Sequence, residues 1–136
     1  MLLWLVAEDE PDIRVLVATM IQVWGHVPVT FENGQKVWDW LDRFEKGAGM
    51  TIPDLILMDI RMPGKRGNEL AQRMRTMPQL EQIPIVLMTA FALSDSERAE
   101  MMREGGVDHI IGKPLPDFEQ LRATLHKLIE QKRTTT

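Results

Sequence analysis

Three carboxylates, a hydroxyl and an ammonium stand just after runs of apolar residues in this 136-residue sequence. Glu8 and Asp9 follow Leu2–Ala7, ahead of Glu10, and Asp59 follows Leu55–Met58, so Glu8, Asp9 and Asp59 are the three carboxylates. Thr89 follows Ile85–Met88, and Lys113 comes shortly after Val107–Ile111. Glu8, Asp9 and Asp59 offer hard oxygen ligands, which suit Mg2+: that ion takes one or two carboxylates, keeps several waters and adds phosphate oxygens. Lys113 is a point charge for a carboxylate or a phosphoryl group. Thr89 has a hydroxyl to donate to a phosphoryl oxygen, and Ala90 is small enough to leave room for an incoming group. Zinc is not indicated, because His26, His109 and His126 are far apart in sequence and lack ligand spacing.

Taken singly, each feature has a plainer reading. An acidic run before a helix complements the helix dipole, and a lone Asp after a strand is commonly a turn residue. The specific signal is joint placement at the ends of the first, third, fourth and fifth apolar runs, in order.

The elements that must position these residues alternate strand and helix. Leu2–Ala7 is apolar at consecutive positions, as a strand buried on both faces should be. Ile13, Leu16, Val17, Met20, Ile21 and Trp24 then recur at helical spacing, with Pro11 in the first turn and Gly25 at the end. His26–Thr30 is a weaker strand, and Pro28 puts it at a sheet edge. Val37, Trp40, Leu41 and Phe44 form the next stripe, followed by a polar loop with Gly47 and Gly49. Leu55–Met58 and Ile85–Met88 are central strands, separated by a helix over Gly67–Met77. Ser94–Glu97 reads as a capping box opening a helix that runs to Gly105–Gly106. Val107–Ile111 is the last strand and the other edge, and Phe118, Leu121, Leu125 and Leu128 line a final helix.

This alternation implies an α/β fold: a doubly wound, five-stranded parallel sheet with five helices in three layers. The order 2-1-3-4-5 is one common solution, and Pro28 fits it. In such sheets ligands bind beyond the carboxyl ends of the strands, where the polar residues cluster.

Composition narrows the function. Twenty acids against sixteen bases argue against a protein that coats nucleic acid. The absence of cysteine excludes disulfides, thiolate metal sites and thiol nucleophiles. No stretch is apolar for long enough to read as a membrane span, and the start does not read as a signal peptide. The expected location is therefore cytoplasmic. Charge is uneven: residues 61–75 carry a net +4, read as a solvated helix face or, with less weight, a surface for an acidic partner.

The sequence resembles the receiver domain of two-component response regulators, with a flavodoxin-like sheet. The resemblance rests on Val6–Glu10, Asp54–Gly64, Gly67, Met88–Ala90 and Gly112–Pro114, and extends from Leu2 to about Ile129. It implies a receiver domain over residues 1–131 and a flexible tail over 132–136. It also implies that Asp59 is the phosphoacceptor and that Glu8, Asp9, Asp59 and the backbone carbonyl of Arg61 surround a Mg2+. Thr89 and Lys113 would serve the phosphoryl group, and the Lys113–Pro114 bond would be cis. The implied partners are a sensor histidine kinase or phosphotransfer protein and a downstream protein. The implied switch surface is helix four, strand five and helix five, with a homodimer left open. The chain would assist its own phosphorylation and dephosphorylation rather than act as an enzyme on other molecules.

Two positions depart from the family pattern. Ile110 stands where the family usually has Tyr or Phe, so an aromatic switch is not implied. Arg66 replaces a frequent Asp before Gly67. Arg61 and Phe91 stand two residues after Asp59 and Thr89, positions that tune phosphorylation and hydrolysis in the family, and Phe91 is large enough to shield an acyl phosphate from water. Competing readings fit less well. A Mg2+-dependent phosphatase would usually have a second acid where Arg61 stands. A flavodoxin-like cofactor carrier would not place Glu8–Glu10 where a phosphate binds. A degenerate receiver, used only for interaction, would not need the intact acidic, Thr89 and Lys113 set.

Overall fold

The computed structural model describes residues 2–47 and 51–134. Met1, Gly49, Thr135 and Thr136 lie outside the described residues. The elements in order are β1 (Leu3–Ala7), α1 (Pro11–Val23), β2 (Val27–Phe31), α2 (Gly34–Glu45), β3 (Leu55–Asp59), α3 (Gly67–Arg75), β4 (Ile85–Thr89), α4 (Asp95–Arg103), β5 (His109–Gly112) and α5 (Phe118–Thr134). The strands form one parallel sheet in the order β2-β1-β3-β4-β5. Pro28 sits on the edge strand β2, opposite Trp4, where its missing N–H takes no ladder bond from a further strand.

Period-two alternation along the central strands divides the core. Leu5, Ala7, Ile56, Met58, Ile85 and Leu87 face α2 and α3, packing on Val37, Trp40, Leu41, Leu70 and Met74. Trp4, Val6, Leu55, Leu57, Val86 and Met88 face α1 and α5, packing on Val17, Ile21, Leu121 and Leu125. Each fully buried Leu or Ile contributes about 1.5–3 kcal/mol relative to exposure, so both faces must be covered for the runs to persist as strands.

Several expectations shift. Leu16 keeps helical phase but is 53% exposed. The buried stripe of α5 is Leu121, Leu125 and Ile129, whereas Phe118 is 38% exposed and turns to Trp24 at 5.3 Å. Helix α4 buries none of its residues fully, though Met101 packs partly buried against the core; a capping box closes its first turn, in which Ser94 Oγ accepts the Glu97 N–H at 3.1 Å and Glu97 Oε1 accepts the Ser94 N–H at 3.1 Å. It ends at Arg103 rather than at the glycines. The last strand begins at His109, two residues later than expected, because the Asp108 carboxylate accepts the Ile85 N–H at 2.8 Å instead of extending the ladder. The segment from Lys132, expected to be loose, continues α5 to Thr134; Lys132 pairs with Asp108 at 3.1 Å and Arg133 with Asp54 at 3.2 Å.

The basic run is also not a uniformly solvated face. Arg73 pairs with Asp42 at 2.7 Å and Glu45 at 3.2 Å, and lies 4.2 Å from the centre of the Trp38 ring. Arg75 donates to the carbonyls of Gly106, Leu80, Glu81 and Ile83 and to Asp108 Oδ2, all at 2.8–3.0 Å. Both arginines hold elements together.

Burial, and then nearby Arg98, push the His109 imidazole below its ordinary 6.5. Below 6.5 the unfolded chain therefore binds more protons than the folded one. Stability from this group is complete above 6.5 and is lost as pH falls through the folded value. Replacing His109 with Gln should flatten the acid limb of a profile of urea midpoint against pH. An unchanged limb would show that His109 does not contribute.

Candidate functional site

The carboxyl ends of β1, β3, β4 and β5 meet at one rim. The ladder fixes their depth: Asp59 lies opposite Met88, and Thr89 opposite Gly112. Ile60 N–H donates to the Met88 carbonyl at 2.9 Å, and Lys113 N–H to the Thr89 carbonyl at 2.8 Å. Gly67 is required close by, since a Cβ there would lie 2.3 Å from the Asp59 carbonyl oxygen. Its N–H donates to the Ile60 carbonyl at 3.0 Å, so α3 starts hard against the end of β3.

Glu8 is fully buried, and Asp59 and Thr89 are buried at 7% and 4% exposure. Such carboxylates need partners. Lys113 Nζ supplies them, reaching Glu8 Oε1 at 2.6 Å and Asp59 Oδ2 at 2.8 Å. The remaining oxygens are also engaged: Glu8 Oε2 accepts the Glu10 N–H at 3.1 Å, and Asp59 Oδ1 accepts the Arg61 N–H at 3.3 Å. Burial pushes Glu8 up to about 7, against the hydrogen bonds from Lys113 and the Glu10 N–H. For Lys113, burial pulls downward, but the bonds to Asp59 and Glu8 outweigh it and the net displacement is upward.

The structure brings Glu8, Asp9 and Asp59 together, each offering a carboxylate oxygen, with the three oxygens within 4.8 Å of one another. An all-oxygen, anionic donor set of this size fits a hard divalent cation such as Mg2+. Thr89 lies at the same rim, but its hydroxyl is engaged locally: Oγ1 accepts the Phe91 N–H at 3.0 Å and is 3.3 Å from the Phe91 carbonyl. Lys113–Pro114 is cis. Ile110, at the position of the family aromatic, is buried in the core on the α2–α3 face.

Two contacts were not among the sequence expectations. Arg14, one turn into α1, donates to the Glu8 carbonyl at 2.8 Å and steadies the end of β1. The Arg61 guanidinium stacks 3.8 Å from the centre of the half-exposed Phe91 ring, bridging the segments after β3 and β4 beside the acids. No local sequence signal announces either contact, since both cross between elements.

Comparisons with known proteins agree with this geometry. A family model for the response regulator receiver domain matches residues 4–126. The chain is 32% identical over 111 residues to the polar-differentiation response regulator DivK of Brucella anthropi, covering 82% of this chain and 83% of DivK. Among solved structures it is similar to the signal receiver domain of a signal transduction histidine kinase from Syntrophus aciditrophicus, with 27% identity, a TM-score of 0.78, and 96% and 92% of the two chains covered. A receiver domain of a sensor histidine kinase from Pseudomonas aeruginosa shares the fold at 23% identity and a TM-score of 0.76, covering 95% of this chain and 98% of its own. That protein holds a magnesium ion coordinated in its active site cleft. Among the described residues, no helix is long and apolar enough to cross a membrane.

Proposed function

The chain belongs to the response regulator receiver domain family, and on that premise we propose that it is a phosphoacceptor switch, with Asp59 as the acceptor. The observation that carries this reading is the buried Lys113 ammonium shared between Glu8 and Asp59 beside a third carboxylate, Asp9. A solvated acidic turn would not bury Glu8 completely or draw a lysine from 105 residues away.

The donor is a phosphohistidine on a sensor histidine kinase or a phosphotransfer protein. A carboxylate oxygen of Asp59 bonds to phosphorus as the P–N bond breaks, and the electron pair returns to the donor's ring nitrogen. Such a transfer depends on positioning and charge neutralisation rather than on acid–base chemistry. Lys113 orients Asp59 beforehand through its 2.8 Å contact and pairs with the phosphoryl group afterwards. Thr89 gives up its local contact with the Phe91 carbonyl and donates to a phosphoryl oxygen. Glu8, Asp9, Asp59 and the Arg61 carbonyl would hold Mg2+, which when bound supplies positive charge to the phosphoryl oxygens. The added bulk and charge at the rim shift the surface formed by α4, β5 and α5 toward a downstream protein partner. Asp59 is itself modified, so the chain is a signalling module rather than an enzyme acting on a separate substrate.

The test is uptake of one phosphoryl group from acetyl phosphate, followed by intact mass with and without Mg2+. Mg2+-dependent uptake is expected, and its absence would favour a module used only for interaction. Phe91 provides a finer test. Phe91→Ala should open the site to water and speed loss of the acyl phosphate by about two- to fivefold, a barrier change of about 0.5–1 kcal/mol. An unchanged decay rate would remove Phe91 as a shield.

A further inference from the structure

His26 and His126 are 100 residues apart in sequence, yet their Nε2 atoms lie 2.8 Å apart. His26 sits at the corner between α1 and β2, and His126 in the middle of α5, on the face of the sheet that packs α1 and α5 and away from the acidic rim. His26 Nδ1 accepts the N–H of Leu2 at 3.3 Å. A neutral imidazole has one N–H and one lone pair, so the His26 proton belongs on Nε2. His26 then donates to Nε2 of His126, and the His126 proton belongs on Nδ1, 2.6 Å from the Arg122 carbonyl. One proton per ring thus satisfies all four ring nitrogens in a single direction. The pair is wedged among indoles. His26 stacks on Trp4 at 5.0 Å, and His126 lies 5.2 Å from Trp4 and 5.9 Å from Trp24. Among the described residues, the buried indole N–H groups of Trp4 and Trp24 have no acceptor, so they do not compete for the imidazoles.

We propose that this pair is a proton-operated latch between the α1–β2 corner and α5, closed while both rings are neutral and open once either ring takes a second proton. A second proton on His126 would point at the His26 N–H, and one on His26 would point at the Leu2 N–H. Either sets two donors face to face and places an imidazolium among aromatic rings. The surrounding charges are few. Asp54, ahead of β3, favours the imidazolium, while the amino terminus and the partner imidazole oppose it. Asp54 is itself engaged by the Leu3 N–H at 2.8 Å and by Arg133 at 3.2 Å. β1 and α1 present the Trp4 and Trp24 rings, and on α5 Arg122 is paired with Glu119 at 2.8 Å. Burial, and then His126, hold His26 below its ordinary value. The same bonding leaves His26 Nε2 without a lone pair, so the pair is not arranged to share a metal ion. Opening would free the middle of α5, the helix that follows the Lys113–Pro114 loop.

The test uses the intact chain. Long-range 15N spectra of the histidine rings at about pH 7.5 should show His26 protonated on Nε2 and His126 on Nδ1. On acidification to about pH 5, α5 amides should lose protection relative to β3 amides, about tenfold for each unit by which the closed latch disfavours protonation. His126→Gln should weaken that acid-dependent loss, because it removes one of the two titrating rings while its side-chain oxygen still accepts the His26 Nε2–H, leaving only protonation of His26 against the Leu2 N–H. Reversed tautomers, acid-insensitive α5 protection in the wild type, or an unaltered pH response in His126→Gln would each overturn the latch. If that variant does not fold, the wild-type ring spectra and α5 exchange decide the question.

Discussion

Asp59→Asn is expected to take up no phosphoryl group from acetyl phosphate or a phosphohistidine donor, while remaining folded. The substitution is nearly isosteric, and its side-chain oxygen still accepts the Arg61 N–H that now reaches Asp59 Oδ1 at 3.3 Å. What the substitution removes is the anionic oxygen proposed to attack phosphorus, since an amide is a far poorer nucleophile. Folding should survive because Lys113 keeps its 2.6 Å contact with fully buried Glu8, so the ammonium is not left unpaired. Intact mass after incubation with Mg2+, alongside a urea melt, separates the two effects. An unfolded Asp59→Asn would show that the Lys113–Asp59 contact is structural first. A folded variant that still takes up phosphate would move the acceptor elsewhere.

The second large effect is on stability. Arg75→Ala should cost about 3 kcal/mol, the low end of the range for breaking a buried ion pair by removing one partner, because Arg75 and Asp108 are only partly buried, against a total of about 5–15 kcal/mol for a domain. Arg75 donates to four carbonyls that close the segments after α3 and before β5, and to Asp108. Its removal orphans those carbonyls together. The low end of the range applies also because Asp108 keeps Lys132 at 3.1 Å and the Ile85 N–H at 2.8 Å. Arg75→Lys should recover little, since a single ammonium lacks the planar fork that spans these acceptors. Urea unfolding measures both variants. A loss below about 1 kcal/mol would mean that the contacts are exchanged for water without cost.

The central strands were legible because β3 and β4 are buried at every position, which leaves an unbroken apolar run and makes the polar residue after it conspicuous. The rim followed from them: Glu8, Asp9, Asp59, Thr89 and Lys113 all arrive where the strand ends put them. What was not legible depends on partners distant in the chain. Asp108 resembles a strand residue locally, but its carboxylate is taken by Arg75 and Ile85, so β5 starts later. Lys132 and Arg133 resemble a loose tail, yet ion pairs to Asp108 and Asp54 hold them in α5. Leu16 has helical phase with the core but is 53% exposed on the outer side of α1. The complete burial of Glu8, and with it the rise toward neutral pH, follows only from the fold that closes over β1. Within the basic run, charge alone did not distinguish the bracing arginines Arg73 and Arg75 from exposed Arg61 and Arg66.

Borohydride mapping identifies directly which aspartate carries the phosphoryl group. An aspartyl phosphate is reduced by borohydride to homoserine, with release of phosphate, whereas an unmodified carboxylate is not. After incubation with Mg2+ and acetyl phosphate, reduction and peptide mass spectrometry should find homoserine at position 59, dependent on Mg2+ and absent from Asp59→Asn. Homoserine at Asp9 or any other aspartate instead, or its absence from a wild-type protein that has gained phosphoryl mass, would contradict the account.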